Sequence, residues 1–276
     1  MPDSWRDLLD RAEAALNRAK RAGRNRCEVA ERHPMRFVGI DLAWGGRRPS
    51  GLAVLDSEGT VVAEGWATTD EELLGFLAAH DRDGAVLALD APLVVTNPSG
   101  TRRGCEAELQ RRYGRLGAGP YPTNLGLLGG RVRAMELVER SGRPYVTVPR
   151  DPGHRAGWWA VEVFPAPALV ELGALERAVR YKKGPPAERR AGLAAVAEVL
   201  GRLAGADPPL RLDPAGVLAR ELGRLAQLRG AGLKAAEDLA DAHVCAYVGL
   251  WWWARGPAAT LVAGDDPTGS ILVPRP

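Results

Sequence analysis

Asp41, Asp90, Glu237, Asp238 and Asp241 are acids set in stretches that otherwise read as built for burial. Asp41 follows the apolar run FVGI and Asp90 follows AVLAL. The other three crowd into five positions of KAAEDLADAHVCAY, from Lys234 to Tyr247. An acid near the end of a buried strand is costly unless something compensates it. Strand alternation puts Phe37, Gly39 and Asp41 on one face and Val38, Ile40 and Leu42 on the other; Asp90 falls in phase with Ala88 and Val86. On a helix, Asp241 shares a face with Glu237 (four apart) and with Asp238 (three apart). Their small or apolar neighbours, such as Ala236, Leu239, Ala240 and Ala242, suit close packing of that helix on a sheet. The competing reading is a solvated first helical turn, where acids suit the helix dipole. Gathered carboxylates repel and raise one another's pKa. A hard divalent cation, Mg²⁺ or Mn²⁺, relieves that through oxygen ligands. Two such ions about 3.5–4 Å apart can activate water and stabilise the leaving oxygen in phosphodiester cleavage.

Other polar residues stand as secondary candidates. Glu162, in AVEVFP, either joins that metal site or holds a nearby Arg or Lys in a buried pair. Arg102, Arg103, Arg111, Arg112 and Arg115 surround Tyr113; with Asn97 they form either a phosphate-binding rim or a solvated helix face. Lys182, Lys183 and Lys234 pose the same choice, and Lys234 can instead pair with Asp238 one turn on. The tryptophans Trp158, Trp159 and Trp251–Trp253 either stack bases or fill the core. The four histidines show no HExxH or HxH pattern, and no nucleotide-phosphate loop or GxSxG elbow is present.

The elements that must position these residues follow from period and punctuation. Residues 3–31 read as an amphipathic helix, broken at Pro34, and residues 1–34 are treated as an N-terminal helical extension. From Met35, RFVGIDLAW, SGLAVLD and TVVAEGWAT read as three strands with short linkers, hence consecutive antiparallel pairs. TTDEELLGFLAAH is a helix capped by Thr68 or Thr69, and AVLALDAP a fourth strand stopped at Pro92. GWWAVEVFPAP holds a fifth strand. The acid-bearing helix runs from about Ala235 to Ala254, and ATLVAGDDPTGSILVP is a terminal hairpin. Helical insertions occupy about 93–158 and 166–229 of a single domain spanning 35–276. Three antiparallel strands, a helix, then two further strands match a ribonuclease H-like α/β layout: a mixed five-stranded sheet flanked by helices. A doubly wound sheet would alternate strand and helix from the start.

The whole chain sets bounds. Its 276 residues suffice for one large domain, and an apolar fraction of 46% with 26% charged is ordinary for a soluble protein. A net charge of +3 is too small to imply nucleic-acid binding by itself. Cys27, Cys105 and Cys245 are far apart and odd in number, which fits a reducing cytoplasm. The longest apolar run, Val244 to Ala254, is too short to span a bilayer, so no membrane partner is expected.

Taken in order, VGIDLAW, LALDAPL, EVFPAP, YKK and KAAEDLADAHVCAY resemble the DUF429 family of predicted nucleases in the ribonuclease H-like superfamily. The resemblance covers about Met35 to the C-terminus, and the final DxxDA is similar to the corresponding helix of RuvC-type resolvases. It implies a first-strand acid at Asp41, a second at Asp90, and helix acids at Asp238 and Asp241 with Glu237 beside them. RuvC-like enzymes often carry Glu at the second position, so Asp90 reaches less far. The expectation is a Mg²⁺- or Mn²⁺-dependent nuclease holding metal through Asp41, Asp90, Asp238 and Asp241. A metal-activated water would cleave nucleic acid gripped by Arg102, Arg103, Lys182 and Lys234. Two alternatives remain open: a phosphotransferase of the actin-like superfamily, and a non-catalytic nucleic-acid or protein-binding module. Oligomeric state is not set by the sequence.

Overall fold

The computed structural model describes residues 35–43, 48–149, 151–153 and 155–276, with isolated positions between 13 and 23. The expected N-terminal helical extension therefore lies almost wholly outside the described residues, as does Trp44.

Five strands form one mixed sheet: β1 (Arg36–Asp41), β2 (Ser50–Leu55), β3 (Val61–Ala67), β4 (Ala85–Leu89) and β5 (Trp158–Glu162). Their order is β3-β2-β1-β4-β5. β1 pairs antiparallel with β2, and β2 with β3; β1 pairs parallel with β4, and β4 with β5. The architecture is thus an α/β fold whose sheet runs antiparallel and then parallel, flanked by helices. β1 stops at Asp41, earlier than the apolar run RFVGIDLAW suggested.

Helix α1 (Asp70–His80) joins β3 to β4. Thr69 caps it, its hydroxyl accepting from the Glu72 N–H while the Glu72 carboxylate accepts from the Thr69 N–H. Between β4 and β5 lie α2 (Gly104–Tyr113) and α3 (Arg133–Arg140). After β5 come α4 (Pro165–Leu172), α5 (Pro186–Arg202), α6 (Val217–Gly223) and α7 (Gly230–Arg255), then a hairpin of β6 (Thr260–Asp265) and β7 (Gly269–Pro274). Pro165 and Pro167 do more than stop β5. They open α4, where the missing N–H is one that no helix start can satisfy internally.

The alternation read from β1 separates two cores. Val38, Ile40 and Leu42 pack with Leu73 and Leu77 of α1 and Leu137 of α3. Phe37, Val86 and Ala88 face α7 on the other side. Helix α7 is buried at every position from Ala236 to Trp253, its three acids included, with small or apolar residues on all its sides. Two glycines set how close it lies. A Cβ on Gly39 would meet the Ala242 carbonyl oxygen at 1.9 Å, and one on Gly51 would meet the Asp238 carbonyl oxygen at 2.1 Å. Any side chain there would lift α7 off β1 and β2. Trp159 and Trp251–Trp253 belong to this core: Trp252 is fully buried and meets Trp159 edge-on, and Trp253 meets Phe37 edge-on.

Candidate metal centre

Asp41 ends β1, Asp90 directly follows β4, and Asp241 sits mid-helix on α7. β1 and β4 run parallel, and the Asp90 N–H donates to the Ile40 carbonyl at 2.9 Å, so the two strand-end acids emerge side by side. The tight seat of α7 on Gly39 and Gly51 brings its carboxylates down onto them. One carboxylate oxygen from each of Asp41, Asp90 and Asp241 lies within 4.8 Å of the others. This acidic triad can hold a metal ion, and its all-oxygen donor set suits a hard cation.

Asp238 stands beside Asp41 and is nearly buried. Helix α7 begins at Gly230, so these acids lie beyond its first turn and the helix dipole does not account for them. Burial and mutual repulsion show in their titration. Desolvation, against the opposing pull of Lys182 and reinforced by the charges of Asp41 and Asp241, pushes Asp90 up to about 8. Desolvation and then Asp41 push Asp238 up to about 7. Desolvation, partly offset by Lys182, leaves Asp241 raised to about 6.

Lys182, expected on a phosphate rim or a solvated face, has its ammonium inside the acid cluster. Its Nζ is 3.3 Å from Asp41 Oδ2 and 3.5 Å from Asp90 Oδ2, and it contacts Asp241 Oδ2. Burial disfavours that charge, yet Asp241, Asp41 and Asp90 outweigh it and hold the ammonium pKa well above its ordinary value. The neighbouring Tyr181 hydroxyl donates to Asp241 Oδ1 at 2.5 Å. Tyr181, the first residue of YKK, is a member of the site that residue type and spacing alone do not mark.

The remaining expected residues fall differently. Glu237 is fully buried and turned away from the triad, forked by Arg189 at 2.8 and 2.7 Å. Lys234 pairs with Asp238. Glu162 takes the second of its two readings: it pairs with Arg103, whose Nη1 and Nη2 reach its two oxygens at 2.8 and 2.6 Å. Arg103 is therefore a buried structural cation and not part of an exposed phosphate rim; its Nε also donates to Glu106 at 2.8 Å. Arg112 pairs with Glu108 on the surface of α2. Arg102 does not line the cavity at the acids.

That cavity, about 1140 Å³, opens over Asp41, Asp90, Lys182 and Asp238, with Arg48, Arg189 and Lys234 on its walls. A second cavity of about 610 Å³ shares Leu42 and Ala43 with it on the far side of the β1 end. The basic groups of that second cavity are already engaged, Arg133 with Asp70 and Arg131 with Glu136.

The model of the family described as "Protein of unknown function (DUF429)" matches residues 39–267, a span that runs from β1 into the β6–β7 turn and contains every acid of the cluster. The chain belongs to the DUF429 family. No curated protein and no solved structure matches it. Within this DUF429 chain, no described helix is long and apolar enough to cross a membrane.

Proposed function

We propose that this DUF429 protein is a divalent-metal-dependent nuclease that hydrolyses phosphodiester bonds of nucleic acid on a ribonuclease H-like fold spanning residues 35–276. One observation carries the reading: three carboxylates from three separate elements, Asp41, Asp90 and Asp241, converge at one end of the parallel strand pair, beneath an open cavity. The antiparallel-then-parallel sheet with its central acid-bearing helix supports the fold assignment.

Asp41, Asp90, Asp238 and Asp241 would hold Mg²⁺ or Mn²⁺, which when bound supplies Lewis-acid stabilisation of charge on phosphate oxygens and activates water. The protein's own groups do the rest. Gly39 and Gly51 fix the depth of α7 and so the spacing of the acids. Arg48, exposed on the cavity wall, offers positive charge to a phosphate backbone entering over the acids, while Lys234, also on the wall, pairs with Asp238. Asp90, pushed up to about 8 in the metal-free protein, would give up its proton on binding an ion. A cytoplasmic setting suits the buried free thiols Cys105 and Cys245 among the described residues.

The test is cleavage of a panel of structured and single-stranded DNAs and RNAs with and without Mg²⁺ or Mn²⁺. Metal-dependent cleavage that Asp41→Asn lowers by at least about 100-fold, the scale of losing one electrostatic group at a reacting centre, is the expected result. Equal activity in Asp41→Asn removes Asp41 from the mechanism. One observation favours a second reading, a non-catalytic nucleic-acid or protein-binding module: Lys182 already supplies the acids with an internal counter-charge. Nucleic-acid binding without metal dependence, and no cleavage across the panel, would select it.

A further inference from the structure

We infer that Lys182 is a resident cation of the acid cluster, filling one of two cation positions, so that the site takes a single divalent ion on its Asp41–Asp238 side. This rests on the metal-dependent reading above and specifies its stoichiometry.

Asp41 is shared between two groupings. On one side it forms with Asp90 and Asp241 the triad that receives the Lys182 ammonium. On the other it stands against Asp238, whose carboxylate faces the cavity. A triad able to hold a metal thus already holds a cation, supplied by the chain itself. Asp241 is thereby withdrawn from the four-acid ligand set: in the parent it serves that inner position, and it would meet a divalent ion only once Lys182 is gone. It is fully buried and absent from the cavity lining, with one oxygen taken by the Tyr181 hydroxyl and the other by Lys182. An ion arriving from solvent meets Asp41, the cavity side of Asp90, and Asp238, whose Oδ1 already pairs with the more exposed Lys234 and would have to be shared with it.

Charge balance points the same way. The four aspartates Asp41, Asp90, Asp238 and Asp241 carry −4 when ionised, and the paired ammoniums of Lys182 and Lys234 carry +2. Glu237 and Arg189 cancel one another, and Arg48 lies exposed at the mouth. The sum of −2 is neutralised by one divalent ion, whereas two ions would leave the buried cluster at +2, which a low-dielectric site disfavours. Removing the Lys182 ammonium vacates the triad and takes the cluster to −3, so that a second ion leaves it at +1 and no longer at +2.

The experiment is Mn²⁺ titration of the full-length protein, read by calorimetry for stoichiometry and by electron paramagnetic resonance for coupling between neighbouring ions. One Mn²⁺ per chain is expected in the parent, and a second in Lys182→Ala, with spin-coupled signals seen in the variant alone. Lys182→Met, which keeps most of the stem, guards against a folding defect in the alanine variant and should also bind two. If neither variant folds, Lys182→Gln, neutral and close in size, is titrated in their place with the same expected second ion. Two ions in the parent, or one in both proteins, overturn the inference and leave the metal-dependent reading standing. No ion in the parent but one in Lys182→Ala makes Lys182 a competitor and not a companion of the metal, which also overturns it. No ion in any of the proteins overturns both.

Discussion

Arg103 decides between a substrate-binding arginine and a structural one. Its guanidinium is buried and forks Glu162, while its Nε reaches Glu106. Glu162 in turn accepts the Leu93 N–H at 3.2 Å, and Glu106 accepts the Thr123 N–H at 2.9 Å. Arg103→Met keeps much of the volume but strands two buried carboxylates. Breaking a buried pair by removing one partner costs about 3–5 kcal/mol. For a chain of this size each kcal/mol lowers Tm by roughly 2–4 °C, so the melting point should drop by about 6–20 °C. The loss has a pH signature. Desolvation already raises the Glu162 pKa against the pull of Arg103, and without Arg103 it rises further. A carboxyl whose folded pKa lies above its unfolded value binds more protons folded than unfolded, so stability falls as pH increases. The variant's deficit should therefore be larger at pH 8 than near pH 5. Urea melts at both pH values measure it, and Arg103→Met/Glu162→Gln should recover part of the loss because the stranded charge is gone. A deficit under about 1 kcal/mol at pH 8, accompanied by weakened nucleic-acid binding, would refute this account and return Arg103 to a phosphate rim.

Gly39→Ala places a Cβ 1.9 Å from the Ala242 carbonyl oxygen; it should cost at least the roughly 1–3 kcal/mol typical of overpacking, and a urea melt showing no change would mean α7 does not sit as described. Tyr181→Phe removes the donor to the buried Asp241 and should cost about 1–3 kcal/mol, with Mn²⁺ stoichiometry unaltered; a melt matching the parent refutes the contact. The acids Asp90, Asp238 and Asp241 all titrate above the ordinary aspartate range, so by the same sign rule they make the metal-free protein less stable as pH rises from about 4 to 8. Asp90→Asn should flatten that part of the stability profile, and an unchanged slope would show that Asp90 is not held protonated.

The sheet was legible because its signals are local and two-sided. Each strand of β1, β2 and β4 carries apolar residues on both faces, the short links force antiparallel neighbours, and the capping residues of α1 announce its start. Asp41 and Asp90 stood out for the same reason: each ends a run with no other polar residue, so burial and charge collide at one position. What the sequence could not display was the identity of each charge's partner. Arg103 resembles its neighbours Arg102 and Arg111, and nothing local marks it as the one that turns inward. Its partner Glu162 lies 59 positions away on β5.

Helix α7 shows where periodicity gives out. An amphipathic helix reveals its buried face through its period, but α7 is buried all round, so its pattern assigns no face to the sheet. Glu237 and Asp241 share a helical face by spacing and still have different fates. Glu237 is claimed by Arg189 of α5, and Asp241 by Tyr181 and Lys182 of the segment that leads into α5. One stretch of chain, from Tyr181 to Arg189, therefore sorts the acids of α7, giving Glu237 an arginine and Asp241 a hydroxyl and an ammonium. That sorting depends on tertiary packing between segments about 50–60 residues apart. The same stretch carries the ammonium that sets how many ions the acids can accept. A change in the length of the KKGPP linker between Lys182 and α5 should thus alter metal stoichiometry without touching an acid. A one-residue deletion at Gly184, read by Mn²⁺ titration alongside a melt to confirm folding, should move binding from one ion toward two. An unchanged single ion in a folded deletion variant would show that the acids of the sheet and α7 set the count by themselves.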